Sequence, residues 1–255
     1  MQIATLRRRP DVLAILGSLA GVTVLAWIYL FAVAPDVSMP GMSRMGVVPS
    51  WDAPYLVMMF LMWTIMMVGM MLPAVAPTVL VYAAVARKSR RQGRPTAPTA
   101  VFVSGYVTVW TLFSLAATAS QWGLSELALL SPHMMLNNSI ATAVLLVVAG
   151  VYQWLPIKTR CLTQCQSPVQ FISTHWAPGT TGAFRMGIEH GIFCLGCCWA
   201  LMLLLFVGGV MNLFWIAVLA LYILLEKILP NGSALGRGMG VLLILSGLVV
   251  ALVGS

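Results

Sequence analysis

Residues 184–210 read FRMGIEHGIFCLGCCWALMLLLFVGGV. A helix of about 20 apolar residues crosses a hydrocarbon layer ~30 Å thick, and this stretch is long enough. Inside it lies a run no lipid-facing helix needs: Glu189-His190-Gly191-Ile192-Phe193-Cys194-Leu195-Gly196-Cys197-Cys198. At about 100° per residue, His190, Cys194 and Cys197 fall within roughly 60° of one another. Met186 shares that stripe, Cys198 lies one flank over, and Glu189 points away from it. Polar or soft-ligand groups within a membrane segment mark function more often than packing. Three thiols and an imidazole on adjacent turns make a ligand set for copper(I) or zinc. Buried cysteines also serve as small apolar residues, the bland reading of the same pattern.

The rest of the chain has the same character. Of 255 residues, 60% are hydrophobic and 8% charged, with a mean hydropathy of +0.96. A soluble domain carries about 25% charge. The composition predicts an all-α, polytopic transmembrane helix bundle forming a single domain over 1–255. Seven spans are expected, at about 12–34, 53–85, 99–124, 137–156, 185–208, 211–229 and 238–254. The net charge of +8 does not point to nucleic acid. With a cytoplasmic N-terminus, every Lys and Arg except Arg44 falls on the inner side of this topology, as the positive-inside rule requires. Arg7-Arg8-Arg9 precedes a run long enough to remain as an anchor rather than a cleaved signal. The partner implied is the lipid bilayer.

Two further sets carry soft donors. The second span holds Met58, Met62, Met66 and Met70 at four-residue steps, with Met59, Met67 and Met71 beside them. Thioethers suit copper(I) and are poor for zinc, although methionine is also a flexible core filler. The outer loop before it adds Met39, Met42 and Met45, and the loop 125–136 adds His133-Met134-Met135, a weak entry or exit site. On the inner side, Cys161 and Cys165 lie one turn apart if that stretch is helical. Lys158 and Arg160 are expected beside them, favouring thiolates. The pair Glu226-Lys227 reads as a snorkelling anchor at a membrane border. No nucleotide-binding loop and no carboxylate pair for acid–base work is present, so an enzyme is the less favoured class.

Three blocks also carry a resemblance. They are Met66-Met67-Val68-Gly69-Met70-Met71-Leu72-Pro73, Lys158-Thr159-Arg160-Cys161-Leu162-Thr163-Gln164-Cys165, and the specific block from Gly187 to Met202. Gly209-Val210-Met211-Asn212 and Glu226-Lys227 follow downstream. On these the chain resembles, over about 51–240, a bacterial family of predicted metal-binding integral membrane proteins, a domain of unknown function. The resemblance implies metal binding by the cysteines. It also implies residence in the bacterial inner membrane and, through the family's association with copper oxidases, delivery of copper. Gln166 departs from the family pattern, which often has Arg there.

The expected metal residues are His190, Cys194, Cys197, Cys198, Cys161, Cys165, Met62, Met66, Met70 and Met186. Copper(I) is the favoured ion and zinc the alternative. The partner is a copper oxidase or a soluble copper carrier. Two rival classes stay open: a thiol–disulfide oxidoreductase using Cys194-Leu195-Gly196-Cys197, and a non-catalytic membrane subunit holding a structural zinc.

Overall fold

The computed structural model describes residues 10–37, 51–131 and 134–254. Met39, Met42, Met45, His133, Arg44 and the N-terminal arginines lie outside them. Ten helices follow one another among the described residues. They are α1 (Pro10–Val37), α2 (Ala53–Arg91), α3 (Thr99–Glu126), α4 (Ser139–Tyr152), α5 (Pro156–Gln166), α6 (Pro168–His175), α7 (Gly179–Met202), α8 (Leu205–Gly208), α9 (Leu213–Ile228) and α10 (Gly232–Val253).

Local chemistry sets the ends. The Asp52 carboxylate accepts from the Tyr55 N–H at 3.1 Å, with proline in the first turn and Lys88, Arg90 and Arg91 in the last. Those charges complement both poles of the helix dipole. Asn138 caps α4 through the Ala141 N–H, at 2.9 Å. Asn212 caps α9 through the Trp215 N–H, at 3.2 Å. Before it, Gly209 takes φ +93°, a left-handed turn that only glycine adopts freely.

Five helical stretches are long and apolar enough to cross a membrane: the bodies of α1, α2 and α3, the run from α7 through α8, and α10. The count is six if α4 and α5, bent by 63° at their junction, form one broken crossing. The expected segment 137–156 is therefore a 14-residue helix that stops at Tyr152. Pro156 restarts the chain in a new direction, because proline is tolerated in a first turn but not in a helix interior. The segment 211–229 yields a helix of 16 residues, shorter than the ~20 a bilayer requires. The inner loop expected at 157–184 is mostly helical, as α5 and α6. Conversely α2 runs 39 residues, about 58 Å, well beyond one bilayer.

α2 and α7 are the heart of the bundle. Half or more of their apolar windows is buried, at 50% and 56%, against 11% for α1 and 22% for α10. α1 and α10 instead present Leu25, Phe31, Leu242, Leu245 and Val249 outward. Arg87 near the end of α2 pairs with Asp11 at the start of α1, at 3.5 Å. The Gly179 N–H at the start of α7 donates to Pro95 O at 3.2 Å. These ends therefore share one side of the bundle.

α7 reaches the core because glycine lets α3 come close. A Cβ added at Gly187 would sit 2.0 Å from Phe102 O, and one at Gly105 would sit 2.2 Å from Phe184 O. Small residues at such crossings let backbones touch. Gly187→Ala is expected to destabilise the bundle by about 1–3 kcal/mol through overpacking. At Gly238 an added Cβ meets nothing within 4 Å, so Gly238→Ala should be neutral or stabilise by about 0.5–1 kcal/mol. Thermal unfolding in detergent reads both, and equal responses would contradict the close crossing.

Candidate metal centre

The α7 stripe points inward. Met186, His190, Cys194, Cys197 and Cys198 are all buried. The Cys197 and Cys198 thiols each donate to the Cys194 carbonyl at 3.0 Å. This folds both sulfurs back over the preceding turn and toward the Cys194 side chain. Glu189 leaves the site, as its helical angle requires, and pairs with Arg185 at 2.8 Å.

A second helix joins them. α5 packs on α7, and the buried Cys165 lies within hydrogen-bonding reach of Cys194 and Cys197. Cys161 rests against the backbone at Gly196, where an added Cβ would meet its Sγ at 2.7 Å. The five thiols, all free, thus form one neighbourhood rather than an inner pair and a separate intramembrane set. The bend between α4 and α5 is what turns Cys161 and Cys165 onto α7.

The cation beside the sulfurs is not the one expected. Lys158 is buried and bonds Gln153 and Glu226, and Arg160 is exposed. Lys227 of α9 instead places Nζ 2.8 Å from Cys194 Sγ. Glu226 and Lys227 are no border anchor, being only 1% and 6% exposed. Adjacent residues on a helix diverge by about 100°, which sends Glu226 toward α5 and Lys227 toward α7. Gln166 fixes that end of α9 by donating to the carbonyls of Glu226 and Leu229, at 2.9 and 3.1 Å.

Tyr106 of α3 closes the opposite side. Its hydroxyl lies 3.0 Å from Cys194 Sγ and 3.2 Å from Met71 O. A phenol has one proton, so it donates to one of these at a time. The His190 ring packs among Phe171, Tyr106 and Phe102, with centroids at 4.8, 6.0 and 6.2 Å. Its Nδ1 is buried without a hydrogen-bond partner. A buried imidazole nitrogen left unpaired is costly unless a ligand uses it.

The methionines divide. Met62, Met66 and Met70 are buried in the core beside Met59, Met67 and Met71, whereas Met58 is 37% exposed. Met71, through its carbonyl and Tyr106, has the hydrogen-bonded link to the thiols. Among the described residues no group of three or more His, Cys, Asp or Glu side chains is placed to hold a metal ion. The donor types nonetheless suit a soft ion: thiols on two packed helices, an unpaired imidazole nitrogen and thioethers in the adjoining core.

The sequence pattern of the family described as PpoB2: Copper chaperone matches residues 60–250. The chain belongs to this family. The match spans α2 from Phe60 to Val250 of α10, and so includes all five cysteines, His190, Tyr106 and Lys227. No curated protein and no solved structure matches the chain.

Tyr106 and Lys227 are the residues the sequence reading missed. Lys227 carried a signal, a charge closing an apolar run, but border lysines usually snorkel. Tyr106 carried none.

Two outcomes follow from this arrangement. Cys161, the only partly exposed thiol, should react with a maleimide before the four buried ones, which should label on unfolding; mass spectrometry of timed samples reads the order. Lys158→Met alone leaves Glu226 unpaired and should cost about 3–5 kcal/mol, while Lys158→Met with Glu226→Leu should recover most of it. Denaturation midpoints of both variants test the charge pair.

Proposed function

We propose that this protein is an integral membrane copper(I) carrier of the bacterial inner membrane, folded as one unit over 1–255. Its N-terminus is cytoplasmic, and five or six helical stretches cross the bilayer. The start of α1 lies beside the end of α2, which carries the basic residues Arg87, Lys88, Arg90 and Arg91, and this supports the orientation.

Copper(I) is the cargo. Cys161 and Cys165 receive it, and His190, Cys194, Cys197 and Cys198 hold it with Met186 nearby. Met62, Met66 and Met70 line the way outward. Affinity falls from thiolate to thioether along that route, so the ion is released toward a copper oxidase. Cys161, the partly exposed thiol, faces a soluble copper carrier. One observation carries the reading: thiols from two helices, Cys165 of α5 and Cys194 and Cys197 of α7, converge in the buried core of a chain belonging to a copper chaperone family.

Elemental analysis of the purified protein tests it. The parent should retain copper in preference to zinc, and Cys194→Ser/Cys197→Ser should lose most of it while keeping its helical content. Equal copper in the two proteins ends the proposal. Zinc in place of copper would instead favour a structural zinc site.

A further inference from the structure

Far from the thiols, a buried glutamine is held in an unusual way. Gln121 near the end of α3 is 1% exposed. Its Oε1 accepts from Trp63 Nε1 at 2.7 Å. An indole N–H only donates, so this bond fixes the amide orientation and turns the NH2 the other way. There it meets two sulfurs, Met134 Sδ at 3.2 Å and Met59 Sδ at 3.7 Å. Thioethers are weak acceptors, and a buried amide gains little from them. The two sulfurs, from segments far apart in sequence, thus converge on one point.

The backbone at Met134 adds an independent observation. Met134 adopts φ +56°, the left-handed region that a bulky residue rarely enters. The loop holds it there: its N–H donates to Ser131 O at 2.8 Å, and its carbonyl accepts from the Val210 N–H at 3.5 Å. Strain of this kind persists where surrounding contacts impose it, and it clusters at ligand clamps. The cluster lies at the end of α2 opposite Arg87–Arg91, about 18 Å along that helix from Met71 and the thiols. Met62, Met66, Met67 and Met70 are buried between the two.

We infer that Met59 and Met134 form a second, weaker site for a soft monovalent cation, at the point now occupied by the Gln121 amide. For its cargo, the site rests on the copper reading above. An arriving ion takes the sulfur lone pairs that the Gln121 NH2 now uses, and the amide swings aside about its bond to Trp63. The donors are neutral, so the ion binds without proton loss and leaves readily. This is the exchange chemistry needed where cargo passes to a partner.

Silver(I), a redox-inert stand-in, tests this on the full chain in detergent with methyl-13C-methionine. The methyl signals of Met59 and Met134 are assigned from Met59→Leu and Met134→Leu, near-isosteric changes that cores tolerate. In the parent, silver beyond the amount taken by the thiols should shift both signals together. In Met59→Leu, the Met134 response should need at least about tenfold more silver, the scale of loss for a perturbed ligand shell. Signals that stay in place throughout the titration, or a Met134 response unchanged by Met59→Leu, would overturn the site. The readout is independent of the thiols: loss of the thiol reading appears as unchanged tight binding in Cys194→Ser/Cys197→Ser, with the methyl shifts unaffected.

Discussion

Three charged groups are buried inside an apolar bundle, and the arrangement of the centre depends on how they are compensated. An isolated ion in a low-dielectric interior is prohibitively costly, so each must find a partner. Lys158 and Glu226 satisfy one another, with Gln153 completing the lysine's contacts. Lys227 forms no salt bridge among the described residues and turns to Cys194 Sγ. A cation matched by sulfur draws α9 against the cysteine helix. The Lys158–Glu226 pair does the same for α5. The charges therefore join the three helices that surround the thiols.

Backbone proximity supplies the remaining wall. Gly105 and Gly187 let α3 and α7 cross with almost no space between them. That crossing brings the Tyr106 hydroxyl over Cys194 and the Phe102 ring beside His190. Any larger residue at Gly187 would push the phenol away from the sulfur. Packing and chemistry are thus set by the same few positions.

Much of this was legible in the sequence. Helical periodicity alone aligned Met186, His190, Cys194 and Cys197, and the buried face of α7 carries them. The alternation of apolar runs and basic loops gave the helical class. Long-range packing was not legible. That Cys165 would join the α7 thiols depended on the bend at Pro156, whose angle no local pattern encodes. That Lys227 would face a thiol depended on Lys158 reaching Glu226 from a different helix. Along the four-residue methionine stripe Met62, Met66 and Met70 are inside, while Met58 drifts to the surface because 3.6 residues per turn is not 4.

Glu226 and Lys227 are neighbours on one short helix, and this gears the two buried contacts to each other. α9 cannot roll about its axis to withdraw the Lys227 ammonium from sulfur without dragging the Glu226 carboxylate across Lys158. Since Lys158 is rooted in the helix that bears Cys161 and Cys165, the torque arrives at those thiols. The Lys227 contact with α7 and the stance of α5 are thereby two ends of one lever.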